Sequence, residues 1–286
     1  MKEISNLDRA EILTQALPYI KNYNGKVVVI KYGGNAMINE TLKEQVMEDI
    51  VLLRLVGVKI VLVHGGGPEI SEMMEKLGKK AQFVDGLRVT DKETVEIAQM
   101  VLAGKINKTL VNYINMKGGN AMGLSGIDGR LIEASIKNEK LGYVGNITKI
   151  NIAPVIDLLE NNYIPVISTI GCDDKGNTYN VNGDTAAAAI AGALHAERLI
   201  MMTDIEGLLR DKENHASVIP EVSLKEIQGL LKDGTISGGM IPKIKCCEDA
   251  IKLGVKNVII LDGRVSHSVL MELLTNEGAG TMVIGD

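Results

Sequence analysis

The sequence predicts an α/β fold, a mainly parallel sheet covered by helices, and three observations carry that expectation. Val27 to Ile30 is an unbroken β-branched run, the pattern of a strand buried on both faces. Two such strands run straight into glycine, Gly33-Gly34 after the first and Gly65-Gly66-Gly67 after the second, and a helical pattern follows each. Strand-like and helix-like stretches then alternate to the end of the chain. In sheets of this kind, ligands bind beyond the carboxyl ends of the strands. Lys31 stands at that edge, where a point charge beside glycine N–H groups suits phosphate. A tight turn followed by a solvated lysine fits the same stretch.

Residues 5–23 read as an amphipathic helix. Ser5 and Asp8 sit in capping positions, Leu13, Leu17 and Ile20 recur at helical spacing, Pro18 should kink it, and Asn24-Gly25 ends it. The helix precedes the first strand, outside the alternation, so its apolar stripe packs either on the domain's own surface or on another subunit. Next come a helix over 41–56 and a buried strand over 58–63. His64-Gly65-Gly66-Gly67-Pro68 then opens a helix to Leu77. Proline suits the start of a helix, and glycines before a helix N-terminus make an anion cradle. A glycine turn for close packing is the other explanation, and two such turns in consecutive units weaken it. His64 reads as structural.

Phe83 to Thr90 reads as a hairpin turning at Asp85-Gly86. Arg88 within it is either a solvated surface residue or a bidentate clamp on a carboxylate. Asp91 caps a helix to Leu102, and a second helix spans 107–116. Short strands are expected over 121–125 and 130–134, a hairpin over 143–148, a helix over 152–159 and a buried strand over 163–168. A polar loop over 171–178 leads to Asn180, Asn182 and Asp184, which share one face of an extended backbone. They form either the N-cap cluster of the small-residue helix 186–194 or a polar wall of a site. The alternation restarts near Glu197, dividing the chain into residues 1–196 and 197–286. The second part holds a strand over 198–203 that ends at Asp204 and a helix over 224–231. A third glycine turn, Gly238-Gly239, precedes Lys243 and a helix to Leu253. Strand 258–261, helix 268–274 and strand 281–284 complete it.

Composition excludes several classes. The net charge is -5, tryptophan is absent, and the rings are seven Tyr and one Phe. A nucleic-acid surface wants basic stripes and stacking rings, so none is expected. No apolar run reaches membrane-span length, and the start, with Lys2, Glu3, Asp8 and Arg9, is not expected to be a signal peptide. Cys172, Cys246 and Cys247 have no metal-ligand spacing; the adjacent pair reads as buried small hydrophobes in a reduced, cytoplasmic setting. No P-loop, no protein-kinase signature set, no G-x-G-x-x-G spacing and no histidine cluster for a metal occur.

What remains is an ordered set: Lys31-Tyr-Gly-Gly, His64-Gly-Gly-Gly-Pro, Gly-Leu-Arg88-Val-Thr, Asn180-Val-Asn-Gly-Asp184, Thr203-Asp-Ile-Glu-Gly-Leu and Gly238-Gly-Met-Ile-Pro-Lys243. This set resembles the amino acid kinase family, and within it the branch that phosphorylates N-acetyl-L-glutamate, over essentially the whole chain. The resemblance implies a three-layer αβα sandwich of two lobes, 1–196 for acetylglutamate and 197–286 for ATP. It implies Lys31 and Lys243 as the lysines stabilising the moving phosphoryl group, with Asp184 orienting both. Gly65, Gly66, Arg88 and Asn180 correspond to substrate contacts, Arg88 on the α-carboxylate. Gly33, Gly34, Asp204, Gly207, Leu208, Leu209, Ser237 and Gly238 correspond to phosphate and nucleotide contacts. Mg²⁺ would be held mainly through the nucleotide phosphates, with no metal ligands from the protein.

The chemistry agrees. A side-chain carboxylate acceptor, with an unperturbed pKa near ~4.3, is already ionised and needs no general base. The obstacle is repulsion between two anions, which positioning and cations relieve. The resemblance extends to hexameric, L-arginine-inhibited members, in which an N-terminal helix interlaces between dimers; Glu272 and Gly278 correspond to two arginine-site positions. The histidine expected three residues before Asp262 is Ile259 here. Other readings are a glutamate 5-kinase, carbamate kinase, uridylate kinase or aspartokinase, the last disfavoured because the sequence ends at Asp286, and a catalytically dead amino-acid sensor, disfavoured by both lysines and Asp184.

Overall fold

The structure, a computed structural model, describes residues 5–37, 39–211 and 213–286; Lys2 and Glu3, read as part of the charged start, lie outside them. Eight strands form one sheet in the spatial order Glu221–Ser223, Gly280–Ile284, Asn257–Asp262, Arg198–Thr203, Val27–Tyr32, Lys59–His64, Ile164–Ser168, Ala121–Ser125. Neighbours are parallel except Asn257–Asp262 beside Gly280–Ile284, so Gly280–Ile284 and the edge strand Glu221–Ser223 oppose the rest. Val27–Tyr32 lies where the order reverses. Strands from residues 59–168 fan out on one side of it and strands from residues 198–284 on the other. That is the switch point at which such sheets open a crevice.

Helices cover both faces, giving three layers. Val28, Ile30 and Tyr32 join one core with residues of the helices Glu40–Leu55, Asn107–Met116 and Ser268–Leu274. Val29 joins the other, with the helices Gly183–Ala193 and Met240–Lys252. Side chains alternate along a strand, so Lys31 points to the Val29 side, towards the start of Gly183–Ala193. Small residues let that helix lie close: a Cβ on Gly192 would come within 2.4 Å of the Leu253 Cβ.

Several expectations need adjusting. The first helix is two, Asn6–Gln15 and Leu17–Tyr23, with Pro18 in the first turn of the second; the Ser5–Asp8 capping box is present. The two helices expected after Asp91 form one run, Lys92–Gln99 and Asn107–Met116 joined by a π segment, Met100–Ile106. The loop expected over 171–178 ends in strands, Ile170–Cys172 and Thr178–Asn180, that pair antiparallel. With Ile132–Ile136 and Gly145–Ile150 they form a second, four-stranded sheet. Glu221–Ser223 is an edge strand that pattern did not announce. Cys247 is buried and Cys246 half-buried, both as free thiols. Among the described residues, no helix is long and apolar enough to cross a membrane.

Candidate active site

Two cavities open along the carboxyl edge of the sheet. The first, about 220 Å³, is lined by Lys31, Gly33, Gly34, Gly65 to Gly67, Arg88, Asn180 and Asp184, with Phe83, Val144 and Thr169 among its further walls. The second, about 340 Å³, is lined by Asp204 to Leu209, Thr235 and Ser237, with His215, Met240 and Arg264.

In the first cavity, Lys31 Nζ lies 2.9 Å from Asp184 Oδ1. Asp184 occupies the first turn of Gly183–Ala193, where the helix dipole favours a negative charge. Burial alone would raise its pKa. The Lys31 charge and hydrogen bond, and then the Lys243 charge, outweigh that and hold the carboxyl below its ordinary range. Lys243 is half-buried in the first turn of Met240–Lys252, a helix packed against Gly183–Ala193. The electrostatics of one carboxylate thus tie together two lysines more than two hundred residues apart in sequence. The two explanations of the polar triplet divide: Asn182 is the N-cap, accepting from the Thr185 N–H at 3.0 Å, while Asp184 faces the lysine.

The glycines divide as well. A Cβ on Gly66 would lie 2.2 Å from Ile106 Cδ1, so that residue serves helix packing. A Cβ on Gly65 would meet no protein atom within 4 Å, so that residue leaves cavity clear. A Cβ on Gly33 would approach Lys31 Nζ at 2.9 Å. Behind this loop His64 is fully buried. Its Nδ1 lies 2.9 Å from the Gly65 carbonyl and its Nε2 3.2 Å from Asn107 Nδ2. A neutral ring that donates from Nδ1 and accepts at Nε2 satisfies both contacts, and burial pushes the pKa down to about 4. The structural reading of His64 holds.

Arg88 is not a solvated residue; it is 6% exposed. Its Nη2 donates to the Gly67 carbonyl at 2.7 Å and Ser71 Oγ at 2.8 Å, and its guanidinium lies 4.8 Å from the Phe83 ring centroid. No carboxylate among the described residues lies within ion-pair distance of it. Burial lowers its pKa. A buried cation without a counter-ion is costly, and one that faces a cavity is suited to an anionic ligand. Thr90 Oγ1 donates to the Arg88 carbonyl at 2.8 Å. Asn180 Nδ2 donates to Thr90 Oγ1 at 3.4 Å, which links the hairpin to the opposite wall.

In the second cavity the expected Asp204, Gly207, Leu208, Leu209 and Ser237 come together, whereas Gly238 is not among the lining residues. The Leu208 N–H donates to Thr281 Oγ1 at 2.8 Å, pinning the loop to the strand Gly280–Ile284. Sequence reasoning missed Arg264, His215 and Met240 here, and Phe83 and Thr169 in the first cavity. The D-G turn that marked Arg88 also marked the neighbourhood of Phe83; nothing local in sequence marks Arg264.

Away from the cavities, Glu272 and Gly278 also come together: Glu272 Oε2 accepts from the Ala279 N–H at 2.8 Å, and a Cβ on Gly278 would lie 3.0 Å from it. Burial is the main cause that raises the Glu272 carboxyl. Ile259 is wholly buried in the core strand.

A sequence profile of the amino acid kinase family matches residues 26–262. The chain belongs to the amino acid kinase family. This amino acid kinase is 52% identical over 284 residues to the acetylglutamate kinase of Brachyspira hyodysenteriae, covering 99% of each chain. It is 53% identical over 279 residues to that of Clostridioides difficile, covering 97% of this chain and 98% of the other. It is a kinase, and these relatives carry the name acetylglutamate kinase. Among solved structures it is similar to N-acetylglutamate synthase from Neisseria gonorrhoeae bound to coenzyme A and N-acetyl-glutamate, with a TM-score of 0.84, 25% identity and coverage of 97% of this chain but only 63% of that one. A carbamate kinase from Giardia shares the fold, with a TM-score of 0.68 at 20% identity over 92% of this chain and 99% of that one.

Proposed function

We propose that this kinase transfers the γ-phosphoryl group of ATP to the side-chain carboxylate of N-acetyl-L-glutamate, forming N-acetyl-L-glutamyl 5-phosphate in arginine biosynthesis. The observation that carries the reading is Arg88, a buried guanidinium with no carboxylate to pair with among the described residues, in the same cavity as the Lys31–Asp184 pair. In this reading Arg88 takes the α-carboxylate, Asn180 and the clear space at Gly65 seat the substrate, and the 5-carboxylate points to Lys31. The acceptor oxygen attacks phosphorus, the bond to the β,γ-bridging oxygen breaks, and ADP leaves with the electron pair. Lys31 and Lys243 offset the charge on the moving group, and Asp184 keeps the two ammonium groups in register. Gly33 and Gly34 present backbone to the phosphates, and residues 204–209 and 235–237 hold the nucleotide. Mg²⁺, carried on the nucleotide phosphates, supplies further neutralisation. Residues 1–196 form the acetylglutamate lobe and 197–286 the ATP lobe.

We further propose a cytoplasmic hexamer, a trimer of dimers, inhibited by L-arginine. The first helix, Asn6–Gln15, supports this, because none of its residues is buried and Leu7, Ile12 and Leu13 face solvent. The adjacency of Glu272 and Gly278 supports an arginine site, while Ile259 stands where a histidine is expected, which predicts weak inhibition. A coupled assay with MgATP and either N-acetyl-L-glutamate or L-glutamate tests the main reading: turnover with glutamate alone overturns it. Deleting residues 1–24 should give dimers insensitive to arginine; an unchanged hexamer would count against the assembly.

A further inference from the structure

The segment between the strand Asn257–Asp262 and the helix Ser268–Leu274 is anchored at both ends by carboxylates. At its start, Asp262 accepts three hydrogen bonds from one residue: the Arg264 backbone N–H at 2.9 Å, Nε at 2.9 Å and Nη2 at 2.8 Å. The Gly263 N–H donates to the Thr203 carbonyl at 2.8 Å, tying the turn to the neighbouring strand of the nucleotide cavity. At its end, His267 adopts a left-handed backbone, φ 55°, a conformation that costs free energy for a non-glycine residue and persists where the surroundings enforce it. Its Nδ1 lies 2.6 Å from Oδ1 of Asp49. Asp49 is wholly buried on the helix Glu40–Leu55, and its Oδ2 has no hydrogen-bond partner among the described residues. Two unfavourable features, a buried carboxylate and a strained histidine, are thus held against each other at one joint.

Between the anchors Arg264 lines the nucleotide cavity together with Asp204 and Glu206. It is the one arginine or lysine among that cavity's described lining. Its guanidinium is oriented by the Asp262 fork, with Nη1 and the flat faces left over for a ligand. Its place along the cavity follows from the sheet. Adjacent strands stand ~4.8 Å apart, so Arg264, two strands from Val27–Tyr32, has its root about 10 Å across the sheet from that of Lys31. That offset suits the base and ribose of a nucleotide whose terminal phosphate lies at Lys31.

Resting on the kinase reading of this cavity, we infer that Arg264 is a nucleotide-binding residue acting on the base–ribose end, with Asp262 and the Asp49–His267 pair as its positioning residues. Arg264→Ala should raise the Kd of MgADP, measured by calorimetry, and the KM for MgATP by roughly tenfold. The kcat should stay within about threefold, and the KM for the acceptor should be unchanged. Arg264→Lys should not restore affinity, because an ammonium group cannot occupy the Asp262 fork. His267→Gln and Asp262→Asn should give smaller rises of the same kind, in the nucleotide KM alone. Wild-type MgADP affinity in a folded Arg264→Ala protein would overturn the inference, as would a loss confined to kcat. The titration needs no acceptor. If the wild-type protein binds MgADP but does not phosphorylate N-acetyl-L-glutamate, the functional reading falls and this one stands.

Discussion

The two cavities along the sheet edge are built by opposite means. The acceptor-side cavity is assembled from strand ends, glycine backbone and side chains locked before any ligand arrives: Lys31 on Asp184, and Arg88 on Gly67 and Ser71. The nucleotide-side cavity is assembled from loops, with half-exposed Arg264 steadied by Asp262 and the 204–209 loop pinned through Thr281. Burial without a counter-ion makes the first cavity demanding about charge. Exposure and loop construction make the second a holder. In the proposed reading, chemistry and substrate choice therefore belong to the first, and nucleotide affinity to the second.

The sharpest way to break that contrast is to remove a lysine. Lys31→Ala should lower kcat by roughly 10² or more at near-normal stability, and Lys243→Ala similarly, because each acts on charge that develops in transfer. Stopped turnover with an equal loss of folding would return Lys31 to a structural role. Next in size, Arg88→Ala should raise the KM for the acceptor by roughly 10- to 100-fold, the range for a charged hydrogen bond, while the KM for MgATP moves little. A rise in both would show that the cavities are not separable. Asp184→Asn should lower kcat by about tenfold through loss of lysine alignment. Its folded-state pKa is depressed, so the Lys31 contact is intact above the ordinary carboxylate value and is lost only as pH falls through the lower one. It should therefore add no slope to activity between pH 6 and 8. A pH–rate profile that steps in this range in the wild type and not in Asp184→Asn would refute that.

The smallest effect should spare turnover and appear in stability. His64 titrates at about 4 in the fold against an ordinary 6.5. Between those values the unfolded chain binds the extra proton, so stability falls as the solution is acidified and is flat above. The loss from pH 7 to pH 5 should be about 2 kcal/mol. Denaturant titrations of wild type and His64→Gln at both pH values check this, with the variant showing a shallower slope.

Much of this was legible beforehand, for identifiable reasons. Val27 to Ile30 and Arg198 to Thr203 announced themselves because strands buried on both faces need continuous apolar runs. Asp184 and Arg88 were legible only as alternatives, N-cap or polar wall and solvated residue or clamp, until the ordered set of motifs was read together. Glu221–Ser223 was illegible because three edge residues carry no period. The π segment Met100–Ile106 reads in sequence as a gap between two helices because Ala103-Gly104-Lys105 interrupts the apolar pattern. Arg264 was hidden for another reason. Its place depends on Asn257–Asp262 lying next to Arg198–Thr203, and spatial strand order is not written in any local window.

The alanine-rich helix has a consequence for how the molecule tolerates change. Gly192 lies eight residues from Asp184, about 12 Å along the axis, and it is wedged against Leu253 at the far end of the helix that bears Lys243. The acid and its distant lysine therefore ride on two rods welded at the tail, so a single methyl group added at Gly192 would splay the tips. A position that touches neither ligand should in this way be as intolerant of variation as the residues that do.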